Sequence, residues 1–347
     1  MCQRESEYYL TTVNAGPSEI DDLVQANDGL PRYFRIDTTG AKKSTDDLMK
    51  IALTDATAKA LLIKLTLLGY PLYYNTENES RFIRSDRIRH HWPAIKEGTY
   101  SVTDEDVVYT FEKPASERID KIIVIFSPIN STPRLSRYFW PSFSKLMKFV
   151  PPNTAILRIA DVGGVKGAFY MDTTAQPRNG DAVHNLVAGI ISEHSLENSD
   201  VVLFGASKGG TGAAYHGLRG GWKFVATDPI LSDEWYEQND RDYHFTTGGI
   251  FPRSKQEVFA DLIPRASRQL STADARSVVI TSDRSPQYSC VVETFRPLSD
   301  RLTILSSTNP EINKHPDVAP KTIYAQVMSI NSLLLGMSLP DNFATIP

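Results

Sequence analysis

The chain has few cysteines and no long apolar run, and these two shortages exclude several classes of protein. Cys2 and Cys290 are the only cysteines among 347 residues. A disulfide framework and a cysteine-ligated metal site are therefore both excluded. The longest apolar run, Leu61 to Leu68, is interrupted by Lys64 and Thr66, and it is far shorter than the roughly 20 residues that a membrane span requires.

The chain also lacks an excess of positive charge and an apolar segment after its N-terminal charges. Its 37 basic and 41 acidic residues give a net charge of -4, which offers no electrostatic footprint for nucleic acid. No signal peptide is visible at the N-terminus. The hydrophobic fraction of 41% is ordinary for a globular protein. Together these features predict a soluble, cytoplasmic protein with one large core and room for a smaller accessory region.

From about residue 121 onward, short β-rich runs alternate with helical stretches. The runs are almost continuously apolar, as expected of parallel strands that are buried on both faces. Alternation of this kind predicts an α/β fold: an α/β-hydrolase-like, doubly wound, mostly parallel sheet. The predicted strands are 121–127, 154–160, 201–204, 223–227, 276–281 and 301–305, and the predicted helices are 135–149, 181–194, 209–218, 254–267 and 319–335.

The first part of the chain follows a different pattern. Residues 44–68 predict one long helix or two, with Ser44 to Asp47 as N-cap material. Residues 99–102 and 107–112 could pair as an antiparallel hairpin at the edge of the sheet. We therefore predict a helical N-terminal accessory region over residues 1–95 and a catalytic domain over residues 96–347.

The sequence from Val201 to Gly210, VVLFGASKGG, contains a Gly-x-Ser-x-Gly motif centred on Ser207. An apolar run precedes the motif and a helical pattern of small residues follows it. Strand, sharp turn and helix are the context in which such a serine acts as a nucleophile. The flanking glycines, Gly205 and Gly209, would keep side chains away from the neighbouring strand and helix.

A serine hydroxyl needs a base to remove its proton, and that base is normally a histidine held by a carboxylate. In α/β-hydrolases the chain order is serine, acid, histidine. Asp283 directly follows the predicted strand 276–281, and His315 is the only histidine downstream of Asp283. The predicted triad is Ser207, Asp283 and His315, with His315 in a loop. Asp228 is the alternative acid, because some members of this fold place the acid one strand earlier.

The oxyanion hole is predicted to use backbone N–H groups. Lys208, the residue after the nucleophile, supplies the first. The second should come from the loop after strand 121–127, where Pro128 has no N–H. Ser127 and Ile129 both remain possible donors. The Lys208 side chain would face either solvent or an anionic substrate.

Three further segments bear on the site. Residues 228–251 are rich in aromatic and acidic side chains, and they could form a lid or specificity wall, or an ordinary surface excursion. The glycine-rich segments 205–212 and 161–167 match neither a phosphate-binding loop nor a dinucleotide fingerprint. The second would be a flexible loop that lines the substrate site at the carboxyl edge of the sheet. No cofactor and no metal are expected.

Three elements of the chain resemble XcbB/CpsF-type capsular polysaccharide biosynthesis proteins: FGASKGG at 204–210, IIVIFSP at 122–128 and RIAD at 158–161. The resemblance covers about residues 70–335. A more distant likeness is to the serine O-acetyltransferase of accessory secretion systems. The resemblance implies an α/β-hydrolase fold, an acyl-enzyme on Ser207, and a glycan or acylated small molecule as substrate. It also implies capsule-biosynthesis proteins as partners.

The favoured hypothesis is a serine-dependent O-acyltransferase or esterase that acts on a glycan in capsular or cell-surface polysaccharide biosynthesis. A non-catalytic assembly or glycan-binding component with the same fold is the alternative, because a fold does not fix a function. A serine peptidase ranks last. The sequence does not distinguish transfer from hydrolysis, since this depends on whether a sugar hydroxyl or water reaches the acyl-enzyme.

Overall fold

The computed structural model describes residues 9–26, 29–39, 48–76, 78–116, 118–239, 250–269 and 276–347. Within these ranges the chain forms two sheets, one from the N-terminal region and one from the rest. None of the helices in the ranges just given is long and apolar enough to cross a membrane.

The N-terminal region has its own sheet and its own core. Its described strands pair in the order β1-β2-β4-β3, and helix α3 packs against them through Leu61, Leu62 and Leu65. The prediction of a helical region is therefore incomplete, because four strands accompany the helices. The elements are β1 (Tyr9–Thr12), α1 (Pro17–Ala26), β2 (Tyr33–Asp37), α2 (Leu48–Ile51), α3 (Ala56–Leu67), β3 (Leu72–Thr76), β4 (Glu79–Ile83), α4 (Ile88–His91) and α5 (Pro93–Lys96).

The helical prediction for residues 44–68 divides into α2 and α3. Asp55 begins α3, because its side chain accepts a hydrogen bond of 2.8 Å from the Ala58 N–H and so caps the helix. The predicted cap at Ser44 to Asp47 lies outside the described residues. The domain boundary at residue 95 stays a prediction.

The second sheet carries nine strands in the described part of the chain, in the order β13-β12-β11-β10-β9-β7-β8-β6-β5. The seven strands from β13 to β8 are parallel, and β6 and β5 continue the sheet antiparallel at one edge. The strands are β5 (Ser101–Val102), β6 (Val108–Glu112), β7 (Lys121–Phe126), β8 (Thr154–Ile159), β9 (Val201–Ala206), β10 (Lys223–Thr227), β11 (Ser277–Thr281), β12 (Leu302–Ser307) and β13 (Phe343–Ile346).

Helices cover both faces of this sheet, as the apolar strands require. On β7, Ile122 and Val124 join a core with α6, α7, α9 and α10, whereas Ile123 and Ile125 join a core with α12 on the other face. Alternate side chains of one strand therefore pack into different layers. The helices are α6 (Asn179–Glu193), α7 (Lys208–Gly220), α8 (Asp233–Asn239), α9 (Lys255–Gln269), α10 (Tyr288–Phe295), α11 (His315–Lys321) and α12 (Ile323–Leu335).

This sheet and its two helical layers have the α/β-hydrolase-like fold that the sequence predicts. The six predicted strands are confirmed to within about two residues at each end, and the predicted hairpin corresponds to β5 and β6. Strand β13 and helices α8 and α10 were not predicted, and α11 begins before the predicted helix 319–335.

The predicted helix 135–149 is wrong. Only two short 3₁₀ turns form there, Leu135–Tyr138 and Leu146–Phe149. Pro141 lies between them, and a proline removes a backbone donor and disfavours helical backbone at the residue before it. Phe143 then adopts a φ of +52°, which no right-handed helix contains.

Candidate active site

Ser207 occupies the sharp turn between β9 and α7. Its φ of 55° and ψ of -121° are strained for a residue with a side chain. A Cβ on Gly205 would lie 2.0 Å from the Gly209 carbonyl oxygen, and a Cβ on Gly209 would lie 2.3 Å from the Phe126 carbonyl oxygen. Only glycine fits at both positions. The predicted strand, turn and helix around this serine are present.

His315 lies within hydrogen-bonding distance of Ser207. Its Nε2 is 2.8 Å from Ser207 Oγ, and its side chain is only 11% exposed. The sequence predicts a loop at this position, but His315 is the first residue of α11, directly after Lys314. The short helix that it begins leads into α12, which packs on one face of the sheet.

The carboxylate beside the histidine belongs to Asp228, the alternative acid of the sequence analysis. Asp228 directly follows β10, and its Oδ2 is 2.7 Å from His315 Nδ1. The side-chain hydroxyls of Thr281 and Ser285 donate to the same carboxylate, and Asp228 is 1% exposed. Because a carboxylate only accepts, this contact assigns the proton to Nδ1 and leaves Nε2 free to accept from Ser207.

The expectation that Asp283 holds the histidine is corrected by this geometry. Asp283 is exposed, and no hydrogen bond or ion pair joins it to His315 in the part of the chain that the structure describes. The loop after β11 turns so that Thr281 and Ser285, on either side of Asp283, face inward. This loop therefore supplies hydroxyl donors to the acid and does not supply the acid itself.

The geometry also narrows the candidates for the oxyanion hole. Lys208 begins α7, so its N–H has no acceptor within the helix. The Ser127 N–H donates to Tyr170 Oη, and Ser127 is 1% exposed. Ser127 is thereby removed as a donor. Ile129 lines the cleft that contains Ser207 and His315, and it remains the candidate for the second donor.

The Lys208 side chain faces neither solvent nor substrate. It is fully buried, and its Nζ lies 2.9 Å from Asp161 Oδ2. Burial lowers the pKa of Lys208, and the charge of Asp161 opposes this effect. Both predicted surroundings of this side chain, solvent and an anionic substrate, are therefore wrong. A Cβ on Gly167 would lie 2.2 Å from Asp161 Oδ2, so the glycine-rich segment packs directly on the ion pair.

Asp161 also organises the loop that follows β8. It accepts the N–H groups of Phe169, at 2.9 Å, and Tyr170, at 3.0 Å, and both residues have positive φ. The predicted loop 161–167 is thus packed against its surroundings, and the strained residues follow it directly. Only Lys166 of this loop lines the cleft.

A cleft of about 640 Å³ opens at Ser207. Tyr236 on α8 contributes to its wall, so part of the predicted segment 228–251 does border the site, while residues 240–249 lie outside the described residues. Within the described ranges, no group of three or more His, Cys, Asp or Glu side chains is arranged to hold a metal ion. The apolar side chains that line the cleft include Ile129, Trp140, Phe143, Phe204, Tyr236 and Ile323.

Comparison with solved structures finds hydrolase-type folds at low sequence identity. The Glycosylation Associate Protein (Gap123) complex from Streptococcus agalactiae matches with a TM-score of 0.51 and 13% identity, over 75% of this chain. The match spans only 50% of that longer chain. A ferulic acid esterase matches with a TM-score of 0.49 and 12% identity, over 67% of this chain and 96% of its own.

The capsule O-acetyltransferase of Neisseria meningitidis serogroup A matches with a TM-score of 0.45 and 14% identity, over 68% of this chain and 94% of its own. At these identities the likeness concerns the fold alone. No family model and no curated protein matches the chain. Membership of the XcbB/CpsF-type group therefore stays a prediction.

Proposed function

We propose that the protein is a serine-dependent O-acyltransferase or esterase that acts on a glycan in capsular or cell-surface polysaccharide biosynthesis. The observation that carries this proposal is the unbroken hydrogen-bonded chain from Ser207 through His315 to Asp228. Its two contacts measure 2.8 Å and 2.7 Å. Such a chain activates a hydroxyl for attack on a carbonyl.

In this mechanism Ser207 Oγ attacks the acyl carbonyl of the donor while its proton passes to His315 Nε2. Asp228 stabilises the imidazolium through the proton on Nδ1 and does not become protonated itself. The N–H groups of Lys208 and Ile129 stabilise the oxyanion. The leaving group takes the proton from His315, and the acyl group remains as an ester on Ser207.

A second hydroxyl then attacks the acyl-enzyme and gives its proton to His315 Nε2, which passes that proton to Ser207 Oγ as the ester bond breaks. A sugar hydroxyl as attacking group makes the protein an acyltransferase, and water makes it an esterase. The resemblance to capsule-biosynthesis proteins supports a glycan as acceptor. The Gap123 likeness is compatible with this choice, since that complex is described as glycosylation-associated.

Labelling with a fluorophosphonate tests the activated serine. We expect the wild-type protein to gain one phosphonyl group by intact-mass spectrometry, and Ser207→Ala to gain none. Ser144→Ala is the matched control, because Ser144 is an exposed serine outside the cleft. A folded wild-type protein that does not react would overturn the proposal.

A second measurement addresses the glycan. The protein is used without fluorophosphonate, so that Ser207 is unmodified. An acyl ester is supplied as donor, and purified capsular oligosaccharide is supplied as acceptor. We expect a mass increase of one acyl group on the oligosaccharide with wild type and none with Ser207→Ala. Release of free acid alone, at the same rate with or without oligosaccharide, would contradict the transfer reaction and support the esterase.

A further inference from the structure

One side of the cleft beside Ser207 is built mainly from apolar groups. It lies between the segment 128–143 and the helices α11 and α12. Two phenylalanines contribute to this side of the cleft and pack in the core over the sheet, Phe143 and Phe204. Phe204 lies on β9, three residues before the nucleophile. Trp140 and Ile323 lie on the two sides of the opening and are 47% and 52% exposed. Large apolar side chains that stay half exposed beside a reactive group are typical of a ligand-binding surface.

Phe143 is held in an unfavourable backbone conformation at this place. Its φ of +52° lies in the left-handed region, which is a genuine outlier for a bulky residue. Strain of this kind persists only where the surrounding structure enforces it, and it concentrates at functional sites. The ring of Phe143 meets the ring of Phe204 edge to face, with 5.0 Å between the centroids.

Arg158 enforces this conformation from the neighbouring strand β8. Its Nη2 donates to the Phe143 carbonyl oxygen at 3.1 Å, and its Nη1 pairs with Glu112 at 2.8 Å. Arg158 is only 6% exposed. The RIAD element, residues 158–161, thus has two separate contacts: Arg158 fixes the Phe143 turn, and Asp161 fixes the loop beneath Lys208.

Three polar side chains also line this side of the cleft, Ser131, Ser142 and Gln326, and the buried one of them, Gln326, is already bonded. Gln326 lines the cleft, and its Nε2 donates to the Ala319 carbonyl at 2.6 Å and to Thr322 Oγ1 at 3.1 Å. Lys166 and Tyr236, which could bond a hydroxylated acceptor, belong to the segments after β8 and β10. The wall beside Phe204 therefore suits a hydrocarbon chain better than a sugar.

We propose that this wall is an acyl-binding subsite with an aromatic floor formed by Phe143 and Phe204. It takes an apolar acyl chain longer than acetyl, of about four to eight carbons, by burial of methylene groups. Phe143 limits the length of that chain. This inference rests on the proposed function, because the chain is the acyl group that Ser207 carries.

The test is a chain-length profile of kcat/KM with p-nitrophenyl esters from acetate to decanoate. Each buried methylene group should raise kcat/KM roughly three- to fourfold until the chain reaches the floor. We therefore expect the kcat/KM of wild type for the esters from butyrate through octanoate to exceed that for acetate by about tenfold or more. Acetate as the fastest ester, or a flat profile, would overturn the subsite.

The substitution Phe143→Ala should make the acyl-binding subsite deeper. The optimum should move to chains at least about two carbons longer, and the ratio of decanoate to butyrate activity should rise roughly tenfold. Phe149→Ala is the matched control: Phe149 follows Phe143 by six residues, is 62% exposed and does not line the cleft. It should leave the profile unchanged. The same profile for Phe143→Ala as for wild type would overturn the role of Phe143.

Two further measurements keep the outcome interpretable. If Phe143→Ala does not fold, Phe143→Leu replaces it. This variant shortens the side chain by less and should move the optimal chain length in the same direction. Fluorophosphonate labelling separates this inference from the proposed function. If the wild-type protein is labelled but prefers acetate, the subsite is rejected and the proposed function stands. If the wild-type protein is not labelled, both are rejected.

Discussion

Asp161 and Asp228 are two buried aspartates at the same edge of the sheet, and they differ in the partner that each one holds. Each follows a parallel strand, each is at most 2% exposed, and each accepts two hydrogen bonds besides its contact with a basic side chain. Asp161 faces the ammonium group of Lys208, whereas Asp228 faces the imidazole of His315. The lysine forms a buried ion pair with its carboxylate, whereas the imidazole can accept the proton of the Ser207 hydroxyl.

The comparison shows that burial and charge alone do not identify a catalytic carboxylate. The Asp161 pair fastens the residue after the nucleophile to the loop that carries Phe169 and Tyr170. The Asp228 pair leads to Ser207. We infer that the first is a structural ion pair and that the second is the proton-relay carboxylate. Substitutions that remove one and keep the other should separate stability from reactivity.

The largest effect is expected from Asp228→Asn. The amide can present N–H groups to His315 Nδ1, which favours the tautomer that cannot accept the Ser207 proton. The second-order rate constant for fluorophosphonate labelling should fall by about 10³- to 10⁴-fold. Thermal unfolding should change little, since Thr281 can still donate to the amide oxygen and the Ser285 hydroxyl can accept from the amide N–H. Labelling at the wild-type rate would exclude Asp228 from the relay.

The next effect concerns the ion pair and appears in stability. Lys208→Met leaves the Asp161 charge buried without its cation, and removal of one partner from a buried pair costs about 3–5 kcal/mol. Urea unfolding should show this loss. The folded protein should still be labelled to within about tenfold of wild type, since the backbone N–H at position 208 remains.

Lys321→Met is the matched control for the ion pair. Lys321 pairs with Glu311 at the surface, where the two side chains are 39% and 65% exposed, and exposed pairs contribute little to stability. Its unfolding curve should superimpose on that of wild type. If the unfolding curve of Lys208→Met also superimposes on that of wild type, the ion pair between Asp161 and Lys208 does not stabilise the fold.

The fold and two members of the candidate triad could be predicted from the sequence, because each leaves a local signal. Buried parallel strands leave apolar runs, and the turn at Ser207 requires Gly205 and Gly209 on either side. Chain order left His315 as the only histidine downstream of Asp283. The acid left no such signal: Asp228 and Asp283 both follow apolar strands, and only the directions of the side chains after β10 and β11 separate them.

Other features of the site depend on contacts between distant segments. The hydroxyls of Thr281 and Ser285 reach Asp228 across more than fifty residues of sequence. Asp161 and Lys208 come from strands β8 and β9, which are not neighbours in the sheet. Ser127 could be removed as an oxyanion donor only when its bond to Tyr170 was seen. None of these pairings follows from residue type, spacing or periodicity.

The smallest effect is expected from Asp283→Asn, and it tests the choice between the two strand-end aspartates directly. Asp283 is exposed, whereas Thr281 and Ser285 turn inward to Asp228. Loss of its charge should therefore leave the rate of fluorophosphonate labelling within about twofold of wild type, since surface charges act weakly across solvent. A fall comparable with that of Asp228→Asn would mean that the loop after β11 rearranges in the reactive state. In that case Asp283 would also be needed to hold His315 during the reaction, and the assignment of Asp228 alone would be wrong.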